Sequence, residues 1–134
     1  MTMKKMESIE GPMYISPLSD FGFKRIFGDK EIMIAFLMDL LQPKSPIEDV
    51  IFLDKEMPPE NELFRGVIYD LRCKTKNGEE FIVEMQNRMQ ENFADRIIYY
   101  LSRSISSQAK KGKEIWDYKL KPVYGIFFLN FHLH

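Results

Sequence analysis

Asp70 and Glu84 are the two side chains whose type and surroundings could support chemistry in this chain. Each is an acid at a position where its apolar neighbours predict burial, and a buried carboxylate is costly unless it is paired, hydrogen-bonded or bound to a cation. The segments that hold them flank Asn77-Gly78, a strong signal for a β-hairpin. Two acids on neighbouring strands predict a divalent metal ion between them. The alternative is a structural network with Arg72 or Arg96.

The register of this hairpin decides whether the two acids share a face of the sheet. A two-residue loop would mix apolar and polar residues on both faces. A three-residue loop over 76–78, with Gly78 in the left-handed region, instead pairs Asp70 with Glu84. It also creates an apolar face, on which the pairs are Tyr69 with Met85, Leu71 with Val83 and Cys73 with Phe81. We therefore predict the three-residue loop, with the carboxylates side by side, their Cβ atoms roughly 5 Å apart, and Gln86 on their face.

Composition places the chain among ordinary globular proteins. It has 134 residues, of which 45% are hydrophobic and 29% charged, and a formal net charge of −1, so any basic surface must be local. Its single cysteine, Cys73, excludes an intrachain disulfide and is predicted to be a small core residue. Residues 1–15 are predicted to form a flexible tail and residues 16–134 one domain. Because no signal peptide and no run of roughly 18 apolar residues is present, we expect a cytoplasmic protein without a membrane span.

The order of predicted elements indicates an α/β (α+β) fold with a mixed central sheet, an antiparallel hairpin and flanking helices. The elements are helices over 21–27 and 30–41, a strand over 50–53, the hairpin over 67–86, a helix over 93–111 and a strand over 123–131. The helix over 30–41 is apolar nearly all round, which predicts that it is buried or that it lies against both a sheet and a partner. The last strand is almost continuously apolar, which suits the centre of a sheet covered on both faces. Because the chain stops soon afterwards, at His134, we expect a truncated domain or an interface at this edge.

These motifs and their order resemble the PD-(D/E)XK nuclease superfamily. Tyr69-Asp70 stands in the place of the P-D element, thirteen residues separate the two acids, and Glu84-Met85-Gln86 stands in the place of (D/E)-x-K. The block at 19–28, SDFGFKRIFG, is similar to the D-x-x-F-K-x-x-F-G start of one branch, the PD-(D/E)XK nuclease family transposases. This branch is also called the Rpn, or recombination-promoting nuclease, family, and it typically shows E-x-Q. The resemblance covers 16–131 and implies a restriction-endonuclease-like core.

The resemblance implies hydrolysis of DNA phosphodiester bonds with Mg2+, or with Mn2+ or Ca2+ in its place, in recombination or in mobile-element and phage-defence processes. Asp70 and Glu84 would hold the cation. The backbone carbonyl of Met85 would be a third oxygen ligand, because hard cations bind oxygen donors. Gln86 can orient a water molecule, but it cannot supply the positive charge of the lysine that it replaces.

Three groups could supply that missing charge: Lys24, Arg96 or a second metal ion. Asp20 has two interpretations, since it is either part of a helix N-cap or the extra acid that many superfamily members direct at the metal. Lys24 follows one turn later on the same helix face. It either forms a solvated pair with Asp20 or contacts a phosphate.

A second group of residues predicts a DNA-facing surface. Cations that flank aromatic rings can bind phosphates while the rings stack on bases. The residues are Arg96, Lys110, Lys111, Lys113, Trp116, Tyr118, Lys119 and Lys121. The alternative is a solvated loop in which Trp116 packs onto the core.

Three functions remain open at this stage. The first is a Mg2+-dependent deoxyribonuclease acting on DNA, which would need a homodimer to cut both strands because each chain has one site. The second is a non-catalytic module that keeps the fold for DNA or partner binding after the loss of the lysine. The third is a structural fragment whose site lacks residues beyond His134.

Overall fold

The computed structural model describes residues 16–109 and 116–133. Within these ranges the helices are α1 (Asp20–Phe27), α2 (Lys30–Leu41) and α3 (Phe93–Ser106). The strands are β1 (Val50–Phe52), β2 (Glu56–Met57), β3 (Val67–Ile68), β4 (Leu71–Thr75), β5 (Glu80–Gln86) and β6 (Val123–Leu129). None of these helices is long and apolar enough to cross a membrane.

The main sheet has four strands in the order β1-β4-β5-β6. β1, β4 and β5 pair antiparallel, and β6 runs parallel to β5 after the α3 crossover, so the predicted mixed α/β architecture is confirmed. β2 and β3 form a separate two-stranded ladder, which was not predicted. The predicted central place of the last strand is wrong for the described part of the chain. There β6 pairs only with β5 and lies at the edge of the sheet, half-buried.

Side-chain caps start the first two helices. The Ser19 hydroxyl accepts a hydrogen bond from the Gly22 N–H at 2.9 Å, and the Asp29 carboxylate accepts one from the Ile32 N–H at 3.1 Å. α2 ends at Gln42, whose left-handed backbone stops the helix just before a proline. α2 is not buried on all sides, because Ile32 and Leu40 are about half exposed while the opposite side of the helix packs on the sheet. The alternative, in which a partner covers the exposed side, stays a prediction.

The sheet separates two apolar layers. On one face, α1 and α2 pack on the strands, and the buried residues are Phe23, Met33, Leu37, Val50, Cys73, Phe81 and Val83. On the other face, Tyr100 and Leu101 of α3 pack on a smaller layer, which contains Met57, Val67, Tyr69 and Ile82. Cys73 is buried in the first layer, as predicted for a core residue.

Helix α3 ends earlier than predicted. It stops at Ser106, and residues 107–109 already leave the helix, so the predicted extension to 111 is wrong over these positions. The cause is visible at Gln108, whose side-chain amide binds the backbone of Lys121 in both directions, at 2.8 and 3.0 Å. The lysine-rich end of the predicted helix lies outside the described residues.

Candidate active site

The predicted hairpin register is confirmed. Gly78 has a φ of 87° and its N–H donates to the Thr75 carbonyl, which closes the three-residue loop over 76–78. The ladder pairs are Leu71 with Val83, Arg72 with Ile82, Cys73 with Phe81 and Lys74 with Glu80. Because the side-chain period of a strand is two, this register places the two acids next to each other beyond the last ladder pair.

The first strand of the hairpin is interrupted immediately before the site. β3 ends at Ile68, which pairs with Glu56, so the pairing of the hairpin strands does not continue to this residue. Tyr69 therefore joins the α3 layer, and its predicted place opposite Met85 on the apolar face is wrong. The physical reason is that β2 captures β3 by backbone pairing, and the irregular residues before β4 reverse the alternation of side chains. The acid pair lies at this interruption.

Asp70 and Glu84 bind each other's strands reciprocally. The Asp70 N–H donates to Glu84 Oε1 at 2.8 Å, and the Met85 N–H donates to Asp70 Oδ2 at 2.9 Å. Each carboxylate thus has one oxygen held by a backbone donor, and hydrogen bonds to a carboxylate are among the stronger ones in proteins. The two acids are consequently oriented by the hairpin itself and do not depend on flexible partners.

Glu84 is almost completely buried, with 2% of its surface exposed. Burial first, and then the neighbouring Asp70 charge and a hydrogen bond with its carboxyl group, raise the pKa of Glu84 to about 8, while the Asp70 N–H and the Arg96 charge act in the opposite direction. Two carboxylates in this arrangement favour a shared proton or a cation.

The remaining members of the motif flank the pair on β5. Gln86 is half-buried and lies two residues beyond Glu84, on the same face of the strand, as predicted. Its backbone carbonyl accepts a hydrogen bond from the Asn130 N–H, which links this end of β5 to the end of β6. The Met85 side chain packs against the α1–α2 layer, so only its backbone is available to the site.

Arg96 of α3 acts on the acid pair through its charge, without a hydrogen bond or ion pair to either acid among the described residues. Its charge acts on Glu84, and its guanidinium donates to the Tyr100 hydroxyl at 2.9 Å and to Gln90. Tyr100 is fixed in turn, since its carbonyl accepts a hydrogen bond from the Tyr69 hydroxyl at 2.8 Å. A chain of contacts therefore joins the strand that holds Asp70 to the helix that holds Arg96. Tyr69 was predicted as part of the P-D element, but the link from Tyr69 through Tyr100 to Arg96 was not predicted.

Asp20 and Lys24 lie on the exposed side of α1. Their side chains are 76% and 34% exposed and form an ion pair at 3.1 Å. The N-cap of α1 is Ser19, so assigning the cap to Asp20 was wrong. The solvated pair predicted as one alternative is present. The predicted catalytic roles of both residues remain predictions.

One alternative was a structural network in which Arg72 neutralises the acid pair. Arg72 does not do so. Its guanidinium binds Glu80, and it also donates to the Asp54 carbonyl. A cleft of about 330 Å3 lies beside Asp70, and Lys55 and Arg72 contribute cationic side chains to its lining. Sequence reasoning missed Lys55, because only the contact between the Tyr69 N–H and the Lys55 carbonyl brings it here.

The predicted DNA-facing residues separate into three groups. Arg96 acts on Glu84 through its charge, whereas Lys110, Lys111 and Lys113 lie outside the described residues. Trp116 is half-buried, and its ring lies 4.6 Å from that of Tyr118. The alternative in which Trp116 packs onto the core is not observed in the described aromatic contacts, where Tyr118 is its partner.

The donor set is suited to a hard divalent cation. Among the described residues, no group of three or more His, Cys, Asp or Glu side chains could hold a metal ion. Mg2+ nevertheless needs only one or two carboxylates, because it keeps several water molecules and takes further oxygens from phosphates. Asp70 and Glu84 provide the two carboxylates, and the Met85 carbonyl is an oxygen of the same kind.

A mixed sheet that carries an acid pair on an interrupted hairpin, with helices on both faces, is consistent with a PD-(D/E)XK nuclease-like fold. The sequence profile described as PD-(D/E)XK nuclease family transposase matches residues 17–134. The chain belongs to this family, and the predicted membership is confirmed. Searches of curated proteins and of solved structures found no match. Nucleases of this type generally use divalent metal ions, and the family implies DNA as the substrate.

Proposed function

We propose that this protein is a metal-dependent DNA endonuclease that hydrolyses phosphodiester bonds, with Mg2+ or Mn2+ held by Asp70 and Glu84. The observation that carries the proposal is the reciprocal hydrogen bonding of the two acids, which aligns two carboxylates to which no cationic side chain of the described residues is bonded. We extend the proposal to a role in DNA recombination or in mobile-element and defence processes, on the basis of the family.

Each residue of the site has a role in this proposal. A cation held by Asp70 and Glu84 would supply Lewis acidity at the phosphate and would lower the pKa of a nearby water molecule. Glu84 must release its proton before it can bind the cation, so cation affinity increases with pH. The Met85 carbonyl completes the protein ligands, and the Gln86 amide orients the attacking water by hydrogen bonding.

Arg96 supplies the positive charge that Gln86 lacks. A guanidinium held by Tyr100 and Gln90 beside the acid pair can stabilise the charge that develops on the phosphate, and it does so without reorganising during the reaction. Lys24 and Asp20 keep secondary roles, as a phosphate contact and an outer acid. Their mutual ion pair would have to open for either role.

Nicking of supercoiled plasmid with Mg2+ or Mn2+ tests the proposal. Wild type should produce open-circle DNA, while Asp70→Asn and Glu84→Gln should reduce the rate by about a hundredfold or more, since loss of several kcal/mol of metal stabilisation is involved. Asp39→Asn and Glu62→Gln are matched controls, because both side chains are exposed and have no ion pair among the described residues. Nicking that survives in both site variants would refute the proposal.

A second candidate function is a non-catalytic DNA- or protein-binding module, and the uncharged Gln86 favours it. This module would bind DNA equally with and without metal, nick no plasmid, and show no thermal shift with Mn2+. The same samples therefore distinguish the two functions. Linear plasmid is the product of cutting both strands, and its appearance would further support a homodimer. Nicking that becomes slow at low protein concentration would support the same conclusion.

A further inference from the structure

A groove of about 510 Å3 opens at the end of β5 away from the acid pair. Glu80 lies in this groove and Glu84 in the acid pair, four residues later on the same strand face. At a strand rise of about 3.3 Å per residue, the two positions are about 13 Å apart. This distance is close to about four nucleotides at 3.4 Å per nucleotide of one strand.

The groove is positively charged. Lys74, Lys119 and Lys121 line it, and none of the three forms an ion pair among the described residues. The carboxylate of Glu80, which also lines it, is neutralised by Arg72. Asp117 is the remaining acid of the lining, and it accepts a hydrogen bond from the Lys119 N–H at 3.1 Å. Among the described residues, the lining therefore has three lysines and one carboxylate, Asp117, without an ion-pair partner.

Two aromatic rings lie at this groove. Trp116 lines it, and Tyr118 packs on Trp116 with the ring centroids 4.6 Å apart. Tyr118 is 79% exposed, although exposure of a large ring has no benefit for folding. Its backbone has a φ of 62°, an uncommon conformation for a residue other than glycine and one that often occurs at functional sites.

The end of this loop at Lys121 is anchored to two other elements. Gln108 binds the Lys121 backbone through two hydrogen bonds, and the aliphatic stem of Lys121 lies over Gly78, where an added Cβ would be 3.1 Å from it. The hairpin turn and the end of α3 thus fix one side of the groove. A cation on an anchored backbone loses less entropy on binding than a mobile one.

We propose that this groove binds an unpaired DNA strand, with its bases on Trp116 and Tyr118 and its phosphates on the three lysines. The inference rests on the proposed nuclease function and extends it to the substrate class: DNA with a single-stranded stretch beside the cut. Bases of an intact duplex are stacked inside the helix, so an unpaired strand can stack on exposed aromatic rings without the free-energy cost of unstacking or flipping a base.

Fluorescence anisotropy with a labelled single-stranded oligonucleotide, and with the blunt duplex of the same sequence, tests this inference. The wild-type protein is measured in EDTA, so that the readout does not depend on turnover. Trp116→Ala and Tyr118→Ala should each weaken single-strand binding by about tenfold or more and leave duplex binding unchanged. Tyr118→Phe keeps the ring and should bind as wild type. Phe64→Ala removes an exposed ring elsewhere and is the control.

The salt dependence of single-strand binding tests the role of the lysines separately. Lys119→Met and Lys121→Met keep the aliphatic stems, and each should reduce the slope of log K against log salt by about 0.7 for a single strand. Lys44→Met is the matched control, because Lys44 lines a different cleft.

The inference is overturned if Tyr118→Ala leaves single-strand binding unchanged, or weakens both DNA forms by the same factor. Failure of the nuclease proposal is seen separately, as absence of metal-dependent nicking by the wild type. Thermal melting of each variant shows whether the fold is retained, and Tyr118→Phe keeps the result interpretable if Tyr118→Ala is unstable.

Discussion

Two buried glutamates on one strand illustrate the difference between structural and functional acids. Glu80 and Glu84 lie on the same face of β5, with 4% and 2% of their surfaces exposed. Glu80 binds the guanidinium of Arg72, so its charge has a partner inside the protein. Glu84 instead faces Asp70 and is oriented by a backbone N–H. Only the second acid is left in need of a proton or an external cation.

The difference arises from which cation each acid can reach. Arg72 lies on β4 near the start of β5, and its side chain binds Glu80. Arg96 influences Glu84 from α3, but its hydrogen bonds go to Tyr100 and Gln90. The fold therefore gives Glu80 a bonded counter-charge and leaves Glu84 without one among the described residues, which is the arrangement that a metal site requires.

The largest expected effect follows from breaking the ion pair between Arg72 and Glu80. Arg72→Met should lower the free energy of unfolding by about 3–5 kcal/mol, because it leaves Glu80 buried without a counter-charge. Urea denaturation at neutral pH in EDTA measures this change, and Arg72→Met/Glu80→Gln should recover most of it. Arg88→Met, at an exposed arginine, is the control. If Arg72→Met is no more destabilising than Arg88→Met, the ion pair is not structural.

Glu84 should instead make the free energy of unfolding depend on pH. The pKa of Glu84 is raised from 4.5 to about 8, so the folded state keeps a proton that the unfolded state has released. The stabilising contribution is full below about pH 4.5 and is lost as the pH rises through about 8. In EDTA, the Tm of wild type should fall relative to that of Glu84→Gln over this range. Parallel curves for the two proteins would contradict the assignment.

Removing the cation near the acid pair should affect nicking and not folding. Arg96→Met should lower the single-turnover nicking rate by about a hundredfold, comparable to loss of one preorganised donor to a developing charge. Arg96→Lys should retain part of the rate, and Arg88→Met all of it. If Arg96→Met nicks DNA at the wild-type rate, Arg96 supplies no charge to the reaction.

The smallest expected effect concerns the link between the hairpin and α3. Tyr69→Phe removes the hydrogen bond to the Tyr100 carbonyl and should lower the free energy of unfolding by about 1 kcal/mol. Tyr99→Phe removes a similar bond to the Arg65 carbonyl at an exposed position and should cost less. Equal losses in the two variants would show that the link from Tyr69 to Tyr100 has no special importance.

Local chemistry in the sequence was sufficient to predict the hairpin and the position of its acids. Turn preferences predict the left-handed Gly78 and the three-residue loop. The alternation of apolar residues predicts the ladder that begins with the pair of Leu71 and Val83. The proximity of Asp70 and Glu84 follows directly from that register. The two short helices at 20–41 were also predicted closely, because the signals that start and end them are local in the sequence.

Features that depend on contacts between distant segments were not predictable. Tyr69 changes face because β2 pairs with β3, and no periodicity within the hairpin reports that pairing. Arg72 binds Glu80, but a sequence cannot distinguish this partner from Asp70 or Glu84. The early end of α3 depends on Gln108 and Lys121, which are thirteen positions apart.

Calorimetric titration with Mn2+ at mildly alkaline pH tests most directly whether Asp70 and Glu84 form the cation site. We predict saturable binding to wild type and to the Asp39→Asn control, and loss of that binding in both Asp70→Asn and Glu84→Gln. Arg72→Met/Glu80→Gln should bind Mn2+ as the wild type does. Saturable binding that persists in Glu84→Gln, or that is lost when Glu80 and Arg72 are replaced, would contradict the distinction between the two glutamates.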